Sequence, residues 1–179
     1  MTALRLTPHS PDQIIRLPIP GDRDTDDAPA ILAYLKQFAV HYGRSPYVRE
    51  FVRSILPPFT GQNDRQTILR TIVDFTRDRV IYLADPAGAE YVIDPIALLE
   101  LIRTKGRAYG DCDDKALLLA SMAGAVGFET RIVGVHLHDP IYWDHVITGI
   151  RMDGRWVDID PCVRNTEQPE YREKLVSDV

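Results

Sequence analysis

Residues 145–161 read HVITGIRMDGRWVDIDP and contain two runs of alternating residues around Asp153-Gly154. An Asp-Gly pair between two such runs is a strong short-range signal for a β-hairpin with a type I′ turn. If Asp153 and Gly154 are the two loop residues, Met152 faces Arg155, and every further pair along the two strands is fixed. The stretch therefore predicts an antiparallel hairpin with a defined register.

That register predicts what each face of the hairpin carries. One face is largely apolar and should cover the core; it carries Val146, Thr148, Ile150 and Met152 opposite Pro161, Ile159, Val157 and Arg155. The other face places His145 diagonally across from Asp160, with backbones roughly 5.5 to 8 Å apart, and Asp158 lies one step further along. A slip of one residue would put His145 and Asp160 on opposite faces.

A carboxylate within reach of His145 has a chemical meaning. It would fix the tautomer and orientation of the imidazole and leave the other ring nitrogen able to accept a proton. A surface salt bridge of small energetic value is the alternative interpretation. The remaining histidines lack a comparable partner pattern and are predicted to be structural or surface residues: His9, His41, His136 and His138.

Apolar residues recur at helical spacing through most of the chain before the hairpin. Ser45-Pro46 is typical of a helix start, Asp64 can cap a further helix, and Gly127 can close an apolar helix. The predicted helices cover 28–42, 46–56, a segment after Asp64 that includes 68–75, 95–103 and 113–126. The predicted strands cover 130–137, 145–152 and 155–160.

Helices followed by an antiparallel sheet indicate an α+β domain, with N-terminal helices packed on a small sheet. The predicted domain covers residues 29–162. Residues 1–28 contain several prolines and the acidic stretch GDRDTDDAP, so an irregular or strand-like lead-in is expected there. Residues 163–179 are expected to be a polar C-terminal tail, partly disordered.

Composition narrows the class of protein. The chain has 179 residues, of which 45% are hydrophobic and 26% charged, as in ordinary globular domains. A net charge of −5 argues against nucleic acid as the main ligand. The sequence contains neither an apolar run long enough for a membrane span nor an apolar signal region at its start. Two cysteines do not make a disulfide scaffold, so a reduced, cytoplasmic setting is expected.

Cys112 lies where an apolar helix is predicted to begin, in the segment Gly110-Asp111-Cys112-Asp113-Asp114. Unpaired N–H groups and the positive end of the helix dipole favour a thiolate there, and a thiolate is a nucleophile. Gly110 would permit a tight turn and close approach of a substrate. The alternative is a small buried residue at a capped helix start, where the neighbouring carboxylates would raise the thiol pKa.

These motifs together resemble the transglutaminase-like superfamily over roughly residues 65–162. The resembling features are Gly-x-Cys before a helix, the turn and strand GFETRIVG at 127–134, His145 at a strand start, and an aromatic-x-x-x-Asp-Pro ending at Pro161. Short bacterial and prophage-encoded members have a similar Gly-Asp-Cys-Asp-Asp segment. The resemblance implies a papain-like core and the catalytic residues Cys112, His145 and Asp160, the last in preference to Asp158.

The resemblance leaves two features of the site unassigned: the role of Cys162 and the identity of an upstream oxyanion donor. Cys162 stands where many members have Thr or Ser after Asp-Pro, so it is either a neighbour of the site or inert. An upstream oxyanion donor is not assigned, and three tyrosines are candidates: Tyr82, Tyr91 and Tyr109.

The resemblance implies a thiol enzyme that acts on amide or peptide bonds through an acyl-enzyme intermediate. Water as second substrate would make it a peptidase or deamidase, and an amine would make it a transamidase. A protein or peptide substrate is expected, with no cofactor, metal, nucleic acid or membrane partner. One alternative is a catalytically inactive, phage-related binding or assembly module. Another is a metal site of Cys112, His145 and nearby Asp residues, which the lack of paired ligand spacing disfavours.

Overall fold

The computed structural model describes residues 14–17, 28–58, 65–86, 91–137, 143–163, 171 and 174–178, and this part of the chain forms an α+β fold. Its helices are α1 (Ala28–Tyr42), α2 (Pro46–Ile55), α3 (Arg65–Arg79), α4 (Pro95–Lys105) and α5 (Cys112–Ala125). Its strands are β1 (Ile14–Arg16), β2 (Val80–Tyr82), β3 (Tyr91–Ile93), β4 (Ala108–Gly110), β5 (Thr130–Val135), β6 (His145–Met152), β7 (Arg155–Ile159) and β8 (Lys174–Asp178). The predicted fold class is confirmed.

Local capping chemistry explains where the helices begin. The Ser45 side chain accepts a hydrogen bond from the Val48 N–H, and Pro46 is the first residue of α2, as predicted. Asp94 caps α4 in the same way, by accepting from two N–H groups of the first turn. The predicted cap Asp64 of α3 lies outside the described residues.

Helix α5 is the central element of the fold. Nearly all of its residues are buried, and it packs against α1, α2, α3, α4, β5 and β6. A helix that is apolar on all sides can only be stable inside a core. The N-terminal end of α5 is therefore held in place from several directions, and that end carries Cys112.

The main sheet has four antiparallel strands in the order β7-β6-β5-β8. In the β6–β7 hairpin, Met152 pairs with Arg155 and Thr148 pairs with Ile159, so the predicted register is confirmed. Asp153 and Gly154 have φ values of 49° and 78°, which is the left-handed conformation that a type I′ turn requires at both loop residues. The turn thereby fixes the alignment of the strand ends.

The sheet packs on α5 through the predicted core face. Ile132 and Ile150 are fully buried, and the Thr148 hydroxyl donates a hydrogen bond of 2.9 Å to the Ala116 carbonyl of α5. Val157 was expected on the same covered face, yet it is 44% exposed. Val157 lies on the edge strand β7. Residues of α3 line a cavity beside it and do not cover its side chain.

Three strand pairings were not predicted from the sequence. Strand β8 lies inside the segment expected to be a polar tail, and it forms the edge of the main sheet beside β5. Strand β1 pairs with β3, and β2 pairs in parallel with β4, which leads directly to Cys112. In the described part of the chain, every helix is too short or too polar to cross a lipid bilayer.

Candidate active site

His145 and Asp160 form a buried pair at the end of the β6–β7 hairpin. His145 is the first residue of β6, and Asp160 directly follows β7. The His145 Nε2 atom lies 2.8 Å from the Asp160 Oδ2 atom. The hairpin register predicted this proximity, and the structure shows it.

The Asp160 carboxylate accepts further hydrogen bonds. Its Oδ2 atom also accepts from the Tyr171 hydroxyl at 2.6 Å, and its Oδ1 atom accepts from the Cys162 N–H at 2.7 Å. Burial by itself would raise the pKa of Asp160, but the hydrogen bonds from His145 and Tyr171 outweigh it and hold the pKa below its usual value. Asp160 is therefore an anion at neutral pH and can orient an imidazole.

The pairing of Asp160 with Nε2 determines what His145 can do. An anionic carboxylate at Nε2 favours the tautomer with the proton on that nitrogen. The lone pair is then on Nδ1, which becomes the atom able to accept a proton from a thiol. His145 is 5% exposed, so the surrounding low dielectric strengthens this polarisation.

Tyr171 is a site residue that the sequence did not reveal. Burial and Asp160 raise the pKa of its hydroxyl above the usual value, so it remains a hydrogen-bond donor. Its ring centroid lies 6.4 Å from that of His145. The only signal in the sequence is an aromatic residue in an otherwise polar segment, which does not indicate a partner.

Cys112 is the first residue of α5 and is half-buried. The N–H of Val146, the residue that follows His145 in β6, lies close enough to the sulfur to favour the thiolate. The N-terminal half of α5 and strand β6 pack against each other here. The described part of the structure contains no hydrogen bond between the Cys112 sulfur and the His145 ring.

The charge environment of Cys112 opposes ionisation. Burial raises the pKa of the thiol well above its usual value, and Asp111 and Asp113 raise it further. The Val146 N–H acts in the opposite direction but is outweighed. The sequence indicates two opposing effects on the thiol pKa: the helix N-terminus would lower it, and the neighbouring carboxylates would raise it. In the structure, burial and the carboxylates outweigh the helix N-terminus. Cys112 is a thiol at neutral pH.

Asp111, Asp113 and Asp114 form a buried acidic cluster around the start of α5, with one carboxylate oxygen of each within 4.8 Å of the others. Much of the cluster satisfies backbone groups. Asp113 accepts from the Asp114 N–H at 2.7 Å, and Asp114 accepts from the N–H groups of Asp111 and Ile93 at 3.3 and 2.7 Å. Burial raises the pKa of Asp114, and the charge of Asp111 adds to the increase, while these backbone bonds oppose it.

A second group able to hold a metal ion consists of His145, Asp160 and Cys162, also within 4.8 Å of one another. The sequence-based alternative combined Cys112 with His145, and the described residues contain no such ligand group. Burial and the charge of Asp160 raise the pKa of Cys162 to about 12. Metal binding requires the thiolate, so a metal ion at this group would have to displace the proton of Cys162.

Basic side chains lie behind the His145–Asp160 pair. Arg77 of α3 donates to the Asp160 carbonyl oxygen at 3.0 Å. Lys115, one turn into α5, is buried and donates to the Val80 carbonyl at 2.7 Å, and burial lowers its pKa. Arg77 thus ties α3 to the end of the hairpin at Asp160, and Lys115 ties α5 to β2.

The three tyrosines considered as oxyanion donors lie near Gly110, on the segment that leads to Cys112: Tyr82 pairs with Gly110 across β2 and β4, and the other two line a cavity with it. Tyr82 is close enough that its pKa, raised to about 12 mainly by burial, is raised further by the charges of Cys112 and Asp111. Tyr91 and Tyr109 line a cavity next to Gly110. Tyr82 is therefore the strongest of the three candidates, and its role remains a prediction.

The sequence model of the transglutaminase-like superfamily matches residues 53–161, which is more than half of the chain. The chain belongs to the transglutaminase-like superfamily. Cys112, His145 and Asp160 all fall inside the matched range.

One solved structure to which this superfamily member is similar is that of a proposed protease from Parabacteroides distasonis ATCC 8503. The two share 16% sequence identity, with a TM-score of 0.47. The similarity covers 72% of this chain and 26% of the other, so the chain spans about a quarter of that protein's length. The search of curated proteins yields no significant match.

Several features of this superfamily member lie outside the matched range. These are α1, Tyr171, and the strands β1 and β8. Tyr171 donates to the Asp160 carboxylate, and β1 carries Ile14, which lines the cavity next to Gly110. The chain thus supplies parts of the site's surroundings from segments that the family pattern does not include.

Proposed function

We propose that this member of the superfamily is a thiol enzyme that attacks amide or peptide bonds, with Cys112 as nucleophile, His145 as general base and Asp160 as the residue that orients His145. The observation that supports it most directly is the buried His145–Asp160 pair, together with the closeness of the Val146 N–H, which follows His145 in the chain, to the Cys112 sulfur. The residues are distant in sequence and converge where α5 begins and β6 starts.

In the proposed reaction, Nδ1 of His145 accepts the thiol proton as the Cys112 sulfur forms a bond to the carbonyl carbon of the substrate. The carbonyl oxygen becomes an oxyanion, and the N–H of Cys112, which has no helical partner at the first position of α5, can bind it. His145 then gives the proton to the departing amine, and an acyl-enzyme remains. Water or a second amine releases the acyl group, so the products are those of hydrolysis or transamidation.

The raised pKa of Cys112 determines how the first step must occur. A thiolate–imidazolium pair would not exist before the substrate binds, because burial and the carboxylates of Asp111 and Asp113 keep the thiol protonated. Proton transfer to His145 then accompanies the attack of the sulfur. Such a general-base route depends on His145 more strongly than attack by a preformed thiolate does.

The second candidate function is a binding or assembly module that retains the fold without turnover. The acidic neighbours of Cys112 favour it, and so does the lack of a direct hydrogen bond between its sulfur and His145 within the described part of the chain. Catalytic hydrogen bonds are often long before the substrate is bound, so the two candidates differ in reactivity rather than in resting geometry.

The test is the reaction of the protein with an electrophilic thiol probe, followed by mass-spectrometric mapping of the modified residue. We expect labelling of Cys112 that falls at least about tenfold in His145→Ala, with the fold intact by circular dichroism. His41→Ala, a change on the exposed side of α1, is the matched control and should label at the native rate. Labelling of Cys162 alone, or equal labelling of Cys112 in both variants, would contradict the proposal.

A further inference from the structure

A cavity of about 560 Å³ lies next to the N-terminus of α5. Its walls are mainly apolar and aromatic and include Ile14, Leu83, Tyr91 and Tyr109; two carboxylates, Asp85 and Asp114, also line it. The volume lies within the range of small-ligand pockets. The cavity therefore has room for a large side chain.

The cavity lies beside the segment that carries Cys112, at the start of α5. Gly110, which lines it, precedes Cys112 by two residues, and Asp114 belongs to the same first turn of α5. The Leu83 N–H donates to the Gly110 carbonyl at 3.0 Å, which fixes one wall of the cavity to the strand that leads into Cys112. A side chain bound here would belong to a residue close to the attacked amide.

The apolar walls are exposed to solvent to an unusual degree. Ile14 is 61% exposed, Leu83 60% and Tyr109 49%. Exposed apolar side chains grouped around a concavity are typical of binding sites. An apolar stem on the substrate residue would cover this surface.

Among the described residues, those that line the cavity include the acidic Asp85 and Asp114 and no basic side chain. Burial raises the pKa of Asp114 to about 8, so its carboxyl group is mostly protonated at neutral pH when no cation is bound. Asp111, next to Cys112, is 9% exposed, and its Oδ1 atom is buried without a hydrogen-bond partner. Burial raises the pKa values of Asp85 and Asp114, and the charge of Asp111 adds to both increases, so the charged carboxylates are disfavoured. A bound cation would favour their charged forms.

We propose that this cavity is a specificity pocket for a substrate residue with an apolar stem and a positively charged end, arginine or lysine, next to the amide that Cys112 attacks. The inference rests on the proposed function for its catalytic meaning. The binding preference itself does not require turnover and is measured separately.

The experiment measures binding to the Cys112→Ser variant by isothermal titration calorimetry. The probes are two capped tripeptides that differ only at the central residue, arginine in one and citrulline in the other. Citrulline has nearly the shape of arginine but no charge. We expect the arginine peptide to bind about tenfold more tightly, as expected for a charge-assisted hydrogen bond.

Asp85→Asn, introduced into the same variant, removes one carboxylate and keeps an oxygen that can accept from the Tyr91 N–H. This change should remove most of the difference between the two peptides. The matched control is Glu129→Gln, which neutralises an exposed carboxylate at the end of β5 far from His145. The control should leave the difference unchanged.

Equal affinity for the two peptides, tighter binding of citrulline, or no binding of either would overturn the pocket proposal. Labelling of Cys112 in the native protein by iodoacetamide, which carries no side chain, tests the proposed function independently. Labelling of Cys112 without a preference for the arginine peptide would contradict the pocket proposal and leave the proposed function standing. Arginine preference without His145-dependent labelling would leave a pocket on an inactive member of the superfamily.

Discussion

The Tyr171 hydroxyl donates a hydrogen bond to the same oxygen of Asp160 that holds Nε2 of His145, at 2.6 Å. Two donors on one oxygen stabilise the carboxylate and leave it little freedom to rotate. The position of the imidazole thus depends on a residue outside the range that matches the superfamily.

Tyr171→Phe should weaken the general base without removing it. The hydrogen bond from Tyr171 lowers the pKa of Asp160, so its loss raises that pKa, and Asp160 loses its charge at a higher pH than in the native protein. We expect a fall of about fivefold in the rate of Cys112 labelling at neutral pH, with the acidic limb of the pH profile moved upward. Tyr34→Phe in α1 is the control. An unchanged profile would show that Tyr171 is a packing residue only.

Asp113→Asn should make Cys112 more reactive toward a simple alkylating agent. Burial, Asp111 and Asp113 all raise the pKa of the thiol, so removing one negative charge lowers it. The rate of alkylation at neutral pH should increase about three- to tenfold, and its midpoint should move to lower pH. The measurement is the pH dependence of iodoacetamide labelling, read by intact mass. Glu129→Gln is the distant control, and a midpoint that does not move would contradict the electrostatic account.

Asp158 and Asp160 should differ in what their loss affects. Asp158 accepts from Arg131 at 2.9 Å and from Lys174 of β8 at 2.7 Å, and it makes no contact with His145 in the described structure. Asp158→Asn should lower the free energy of unfolding by about 1 kcal/mol and leave Cys112 labelling unchanged. Asp160→Asn should abolish most labelling. Equal labelling in Asp158→Asn and Asp160→Asn would contradict the assignment of separate roles to the two carboxylates.

The stability contribution of Asp158 should also depend on pH. Burial tends to raise its pKa, but Lys174 and Arg131 outweigh burial and lower it below the usual value. A carboxyl group with a lowered pKa in the native state stabilises the fold at pH values above the pKa that it has in the unfolded chain. This stabilisation is lost as the pH falls through the native pKa. The stability difference between native protein and Asp158→Asn should therefore be full at pH 7 and vanish in strong acid. Urea unfolding at several pH values measures it.

Gly149→Ala should disrupt the same ion pair by steric means. A Cβ atom at Gly149 would clash with the Arg131 side chain, which crosses this residue to reach Asp158. We expect a loss of about 1 to 3 kcal/mol in the free energy of unfolding, measured in urea. The control is Ser54→Ala on α2. A substitution at the solvent-exposed Gly154 would not be suitable, because the positive φ of this residue itself disfavours a side chain.

The parts of the site that the sequence predicts are those set by local chemistry. The Asp153-Gly154 turn admits one register, and that register alone brings His145 and Asp160 to one face. Cap residues likewise mark the starts of α2 and α5 with little help from the rest of the chain.

The remaining features depend on contacts between distant segments. Tyr171 reaches Asp160 only because β8 returns the chain to the sheet, and the five residues of β8 carry too weak an alternation to predict a strand. Strands β2 and β4 have three residues each, too few for a periodicity. The sign of the pKa shift at Cys112 depends on burial, which no local pattern supplies.

The carboxylates beside Cys112 have a consequence for the lifetime of the protein. Oxidation of cysteine by peroxide begins at the thiolate and proceeds through sulfenic acid to irreversible products. Asp111 and Asp113 keep the sulfur protonated in the absence of substrate, so such damage should be slow. The same charges that delay the first proton transfer therefore shield the nucleophile from oxidants between turnovers.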